Sequence, residues 1–551
     1  MAAMRVLDRG GNAVDAGVTA AMALAVLQPD IVSFAGVAPT LVYLRREDRV
    51  VSLAGLGYWP AATDVERLRA EGDGTVPEGL LRTVLPAAPA THIEALRRFG
   101  TISFEEAATP ALELAREGFV VYPLLAANLA ARGTAYARWP DSKRIFLPKG
   151  RAPAAGDVFY QADLARVIAG MIESERASPG DRDRKLHAAH EYFYRGPVAH
   201  AIADYHSRNN GFVTLEDLAG FEVPVERSIS ARYRGYDVHT CDVWCQGITL
   251  LEALKILEGF DLRASGHNAP DYLHRVAEAL NLSFADREAY VGDPAFVRVP
   301  TSAMLSGSYG ARQRARISAQ RAFGHMPEPG DPEGASVAAR GAARPAYARA
   351  RGTTGMSLDT IYCGVMDHEG NAYSATLSDN TQDTPVIPGT GLAVSSRGSQ
   401  SRLTPGHPAE VKPGKRPRLT PSPALALREG RPYMVFGTPG GDVQSQAMLQ
   451  VFLNIVEFGM SVQQAVEAPR VYSASFPDSF APHDYYPGRL AMDGHMPVEV
   501  AQALANLGHD VERWPPFPAA GGAVCAVVRD PASGRLHAGA DPRREAYALA
   551  W

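Results

Sequence analysis

Between residues 323 and 355 large aliphatic side chains almost vanish and Gly, Ala, Pro and Arg take over, with Arg340, Arg344, Arg349 and Arg351 in the run. A stretch with so little apolar surface cannot bury itself, so this break predicts a solvated, flexible linker dividing the chain into a long leading segment and a shorter trailing one. No aromatic residue beyond Tyr347 is interleaved with the arginines, so the run reads as linker rather than as a contact for a polyanion.

Before the break the apolar periodicity is mostly helical. Residues 12–28 are small and apolar and stop at Pro29, which reads as a buried helix, and 31–44 read as a turn followed by a strand. Stretches 92–99, 104–117, 248–257 and 270–289 repeat apolar residues at three- and four-residue spacing, whereas 233–240 alternates and predicts one strand. After the break strands return, at 360–366, 372–377, 424–427, 433–437 and 523–528, with Glu369-Gly370-Asn371 and Glu429-Gly430 as turns. The expected class is α+β, and no internal repeat is visible.

With 46% hydrophobic and 21% charged residues, the 551-residue chain can build a large core. Its net charge of −5 gives no electrostatic reason to expect nucleic acid or an anionic membrane as a partner, which leaves small molecules as the default ligand. Of the four cysteines, only Cys241 and Cys245 are close enough in sequence to suggest a bridge. The apolar run 20–27 is too short to span a bilayer and has no basic flank or cleavage site. No export signal is visible, and a cytoplasmic protein is the expectation. The fifteen histidines show no HExxH spacing, and no P-loop or GxGxxG pattern opens a helix, so neither metal nor cofactor is expected.

The segment from Asp359 through Thr360 to the Gly370-Asn371 turn and on to Thr376 reads as a hairpin with a threonine at its first strand position. Read alone, Thr360 is a residue of high β-propensity. In its surroundings, though, the segment resembles the start of the small subunit of γ-glutamyltranspeptidases, where a threonine opens a strand and a Gly-Asn turn follows. Thr353-Thr354 superficially copies the family's double threonine, but it lies seven residues too early. Gly10-Gly11-Asn12-Ala13-Val14-Asp15-Ala16, residues 110–120 and residues 290–300 are similar to large-subunit segments. Lys415-Arg416-Pro417, Gly437-Thr438-Pro439-Gly440-Gly441 and Gly539-Ala540-Asp541-Pro542-Arg543 follow in family order.

The resemblance implies a four-layer αββα sandwich of the N-terminal nucleophile hydrolase type. A large-subunit segment 1–359 and a small-subunit segment 360–551 would share one core as subunits of one precursor, with further oligomerisation left open. It also implies self-cleavage between Asp359 and Thr360, after which the hydroxyl of Thr360 is the nucleophile and its own α-amino group, with a pKa near ~8, is the base. The family's roles fall on Ser378, which would hydrogen-bond the nucleophile, on Gly440 and Gly441, whose N–H groups would hold the oxyanion, and on Asn380, which would contact substrate.

The γ-glutamyl clamp departs from the family pattern. The arginine that grips the glutamyl carboxylate is replaced by Leu56, and the acid that holds the α-amino group falls at Gln400. The family's serine pair becomes Leu419-Thr420, and its glycine-rich loop becomes residues 34–39. Arg397 is the new candidate anion contact, with Gln400 and Thr420 as further substrate contacts. This resembles the family's acylase and amidohydrolase branches and predicts cleavage of a small amide whose acyl part need not be glutamyl. Two alternatives stay open, a true γ-glutamyl hydrolase or transferase and an unprocessed pseudoenzyme scaffold. Family members carry an additional N-terminal strand and often a signal sequence before the first helix, whereas Met1 stands almost at it. A truncated start, with a lost signal peptide, or a missing sheet edge is therefore expected.

Overall fold

The computed structural model describes residues 1–334, 350 and 359–550. Helices and strands are mixed throughout, and the chain divides into two compact units. One comprises Met1–Glu226, Asp359–Ser399 and Val411–Arg416; the other comprises Arg227–Leu358, Gln400–Glu410 and Pro417–Trp551. Each unit therefore draws on both sides of the Asp359–Thr360 bond.

The first unit is built on a five-stranded sheet in the order Val225–Arg227, Arg49–Leu53, Thr40–Leu44, Ala372–Leu377, Ile361–Met366. The hairpin expected around Gly370-Asn371 forms, with Ile361 opposite Leu377 and Met366 opposite Ala372. Its second strand pairs antiparallel with Thr40–Leu44, so Thr40 faces Ala375. The helix Ala13–Leu27 begins where Asn12 caps the N–H groups of Val14 and Asp15 and Asp15 returns a bond to Asn12. This helix is buried nearly all round, among the core residues Val14, Val18, Met22, Val42, Leu53, Tyr373 and Leu377. Gly17 lets it approach the sheet, because a Cβ there would lie 2.2 Å from the ring of Tyr373.

The second unit is built on a six-stranded antiparallel sheet in the order Leu536–Ala540, Cys525–Arg529, Arg431–Gly437, Ala424–Arg428, Tyr236–Thr240, Ile229–Tyr233. The helices Ile248–Leu257, Pro270–Tyr290 and Val443–Val456 contribute to its separate apolar core. The strand expected at 233–240 is observed at Tyr236–Thr240, and its first residues form the turn of a hairpin with Ile229–Tyr233. The hairpin turns at Arg234 (φ 44°) and Gly235 (φ 89°), with Tyr233 opposite Tyr236, and two consecutive positive φ angles match the twist of the flanking strands.

Residues 335–349 and 351–358 of the expected linker, including Thr353-Thr354 and the four arginines, lie outside the described residues. Its beginning is tied down. Phe323 N–H donates to Glu278 Oε2 (2.9 Å), Met326 N–H to the Tyr485 hydroxyl (2.9 Å) and Gly330 N–H to Asp286 Oδ1 (2.6 Å). Composition shows what a segment cannot bury, but not which distant groups its backbone will meet. All four cysteines are unpaired, so the Cys241–Cys245 bridge is not formed. Among the described residues no helix is long and apolar enough to cross a membrane.

Replacing Gly17 with Ala forces a methyl group into the Tyr373 ring and is expected to lower stability by about 1–3 kcal/mol. Gly307→Ala, where nothing lies within 4 Å of the added Cβ and the residue opens a helix, should be neutral or slightly stabilising. Urea denaturation midpoints of the two variants check the pair.

Candidate active site

Thr360 lies at the mouth of the strand Ile361–Met366, and its N–H donates to Ile31 O at 3.3 Å. Held on both sides, it adopts φ +72°. For a β-branched residue this left-handed conformation is strained, by about 1–3 kcal/mol. Its hydroxyl is buried and lies 2.6 Å from Ser378 Oγ. The sheet register explains the meeting, because Ile361 pairs with Leu377 and the next residue outward on each strand is Thr360 and Ser378.

Ser378 is fixed in turn by residues 34–39. Its N–H donates to Val37 O (3.1 Å), its carbonyl accepts from Val37 N (3.2 Å), and a Cβ on Gly36 would stand 2.3 Å from that carbonyl oxygen. Only glycine allows this approach. The loop that departs from the family pattern in sequence is thus the support of the serine.

Arg397, in a short 3-10 turn and fully buried, donates through Nη2 to Ser378 Oγ and through Nη1 to Asp359 Oδ2 (3.1 Å). Its Nε lies 3.3 Å from Asp379 Oδ1. Asp379 also accepts from Ser395 Oγ (2.7 Å), Ser396 N (2.9 Å) and Ser396 Oγ (2.9 Å). Burial pushes its carboxyl above the ordinary range, against the pull of Arg397 and the serines. Ser378 Oγ lies 3.4 Å from Asp359 Oδ2. The expectation that Arg397 awaits a substrate anion therefore meets a difference, because in the uncut chain its fork already faces two acids. The sequence shows the arginine but not the carboxylates brought to it from 38 and 18 residues away.

The structure thus brings Asp359, Thr360, Ser378 and Arg397 into one hydrogen-bonded set, with buried Asn380 two residues beyond the serine. Gln400, Thr420, Gly440 and Gly441 belong to the other unit. There Gln400 Nε2 donates to Thr420 Oγ1 (2.7 Å), and Thr420 N–H returns a bond to Gln400 Oε1 (3.2 Å). Gln246 Nε2 donates to Thr420 O (3.1 Å) and to Gly441 O (3.0 Å), which ties the three together. Gly440 and Gly441 have φ +117° and +56° just before the helix Val443–Val456. Among the described residues, neither of their N–H groups is hydrogen-bonded within the chain.

Sequence reasoning missed Asp379, Ser395, Ser396, Gln246 and the supporting role of Gly36. Asp379 stood in plain view between Ser378 and Asn380, but its φ of +135° and its partners depend on the fold. Leu56 is fully buried. Among the described residues, His274, Glu278 and His509 are a buried trio with close ligating atoms. They are engaged with one another and with the backbone: His274 Nε2 donates to Ser318 O (2.7 Å), and its Nδ1 lies 2.9 Å from His509 Nε2. Burial pushes Glu278 up to about 7.

Comparison with known proteins bears directly on this arrangement. The model of the family described as Gamma-glutamyltranspeptidase matches residues 1–551. The Acylase ACY 1 proenzyme of Pseudomonas sp. (strain V22) is 31% identical over 530 residues, covering 93% of this chain and 86% of the relative. The Glutathione hydrolase-like YwrD proenzyme of Bacillus subtilis (strain 168) is 29% identical over 550 residues, covering 99% and 95%. A solved structure of cephalosporin acylase from Bacillus halodurans superposes with a TM-score of 0.85 at 29% identity, covering 100% of this chain and 93% of that one.

Ser378→Ala removes the group that joins Thr360 to Arg397 and leaves the guanidinium one acceptor short. Any reaction of the Thr360 hydroxyl is expected to slow by about 10- to 100-fold, whereas Ser378→Thr keeps the hydroxyl and most of the rate. A time course on denaturing gels, together with an amide-hydrolysis assay, checks this.

Proposed function

The chain belongs to the gamma-glutamyltranspeptidase family, and from that premise we propose that it is an amide hydrolase made as a precursor that cuts itself between Asp359 and Thr360. The observation that carries this is the state of Thr360. It is a buried β-branched residue at φ +72° with its hydroxyl 2.6 Å from Ser378, strained in the uncut chain and placed beside a polar partner.

Once cut, Thr360 carries a free α-amino group with a pKa near ~8, able at neutral pH to take the hydroxyl proton. The hydroxyl attacks the substrate carbonyl, the amine leaves, and water releases the acyl-enzyme. Ser378 holds the nucleophile. Gly440 and Gly441 are the oxyanion donors, a reading supported by N–H groups with no partner among the described residues and by φ angles that glycine adopts readily. Asn380, Gln400 and Thr420 contact substrate. Arg397 does so only after Asp359 has been displaced, and it would then favour a carboxylate on the acyl or leaving group.

The fold we propose is the four-layer αββα sandwich, with 1–359 and 360–551 as large and small subunits. It is supported by two sheets with associated helices and by the contribution of both segments to each unit. The substrate is a small amide whose acyl part need not be glutamyl, and a glutamyl group is disfavoured because an apolar Leu56 cannot compensate a buried carboxylate.

Thr360→Ala should abolish both self-cleavage and turnover, and Thr360→Ser should retain part of each; normal cleavage in the alanine variant would sink the assignment. One intact band from the wild-type chain, with no activity, would favour the scaffold reading. On the substrate side, γ-glutamyl anilides and glutathione should show kcat/KM about 100-fold or more below a preferred amide. Comparable values would favour the alternative of a true γ-glutamyl hydrolase or transferase.

A further inference from the structure

The α-amino group that serves turnover does not exist in the uncut chain, where Thr360 N is part of the scissile peptide. Self-cleavage therefore needs another proton acceptor, and the hydrogen-bond directions around Ser378 identify one. Ser378 Oγ has one hydrogen and two lone pairs. Arg397 Nη2 can only donate, so it takes one lone pair. Asp359 Oδ2, paired with Arg397 Nη1 at 3.1 Å, accepts the serine hydrogen across 3.4 Å. One lone pair remains, and Thr360 Oγ1 at 2.6 Å fills it by donating its own hydrogen. The hydroxyl proton of Thr360 thus faces Ser378, with a carboxylate behind it.

We propose that the side chain of Asp359 is the proton acceptor for cleavage of its own peptide bond, reached through Ser378. This rests on the reading that the chain processes itself at Thr360. The Thr360 proton passes to Ser378 Oγ while the serine proton passes to Asp359 Oδ2. Thr360 Oγ1 bonds to the backbone carbonyl carbon of Asp359, and the π pair moves to the carbonyl oxygen. When the oxyanion collapses the C–N bond breaks, and the proton held on Asp359 returns through the relay to Thr360 N. The ester that results is split by water, whose OH goes to the acyl carbon and whose H goes to Thr360 Oγ1. Asp359 then ends the upstream segment, and Thr360 begins the downstream one with a free amine and a free hydroxyl. Arg397 is a positioning residue in this step: it orients both Ser378 and the carboxylate, and its charge balances the acid before the proton arrives.

The test is the rate of self-cleavage of the purified full-length chain, followed on denaturing gels. Asp359→Asn keeps the shape and the hydrogen-bond acceptor but cannot hold the proton. It should cleave about 100-fold or more slowly, as should Asp359→Ala, whereas Asp359→Glu, which keeps a carboxylate, should recover part of the rate. Thermal melting of each variant separates a lost acceptor from a lost fold. A folded Asp359→Asn or Asp359→Ala chain cleaving at the wild-type rate overturns the assignment, and so does an Asp359→Glu chain that folds but cleaves no faster than the alanine variant. Cleavage that persists in Thr360→Ala instead overturns the processing reading on which the assignment stands.

Discussion

A guanidinium removed from water must have its charge balanced and its donors met, and the fully buried Arg397 sets this demand at the centre of the first unit. Its two Nη nitrogens donate to Asp359 and Ser378, and its Nε lies 3.3 Å from Asp379 Oδ1, all three residues flanking the hairpin that begins at Thr360. Because Asp379 must also be satisfied, Ser395 and Ser396 close over it. Because Ser378 must sit within reach, Gly36 has to lack a side chain. Removing the arginine would leave two buried acids without their cation at a cost of several kcal/mol, roughly the size of an ordinary protein's whole margin of stability.

The second unit uses the same device. Arg287, also fully buried, donates to Asp442, Gln246, Ser479 and Glu288. Asp442 directly follows the glycine pair, and Ser479 N–H and Oγ both donate to it (2.7 Å each). Gln246, held by Arg287, reaches Gly441 O. The unusual backbone of Gly440 and Gly441 is therefore held from a buried charge. Relaxed glycines would prefer other conformations, and the network removes that freedom in advance.

Elements whose evidence is local were legible in the sequence. The helices Phe104–Glu117 and Ile248–Leu257 fall where the apolar period puts them, and Asn12 and Ser103 cap helices by contacts within three residues. The hairpin after Thr360 is legible for the same reason, since its turn residues lie between its strands. The strand read at 233–240 begins only at Tyr236, because Arg234-Gly235 turn the chain back onto Ile229–Tyr233, a pairing the reading did not include. What could not be read is what depends on pairing across long separations: that Thr40 faces Ala375, that Asp15 accepts from Thr101 N–H (2.8 Å), or that Arg397 closes on Asp359. Thr360 and Ser378 were identified by resemblance alone, since nothing local distinguishes a threonine at a strand mouth from any other.

The strain at Thr360 would give the proposed self-cleavage a direction. In the uncut chain its N–H is held by Ile31 O and its following residues by the sheet, so the φ of +72° cannot relax by moving either neighbour. That angle is defined by the acyl carbon of Asp359, and once the bond to this carbon is broken the constraint no longer exists. Cleavage therefore releases about 1–3 kcal/mol of backbone strain in addition to the hydrolysis itself, and religation would have to restore it. On the proposed mechanism the same event would exchange one proton acceptor for another, a carboxylate reached through Ser378 before the cut and the new α-amino group after it. A hydroxyl that acts once on its own chain and then repeatedly on substrate needs both acceptors, and only the second has to survive the first reaction.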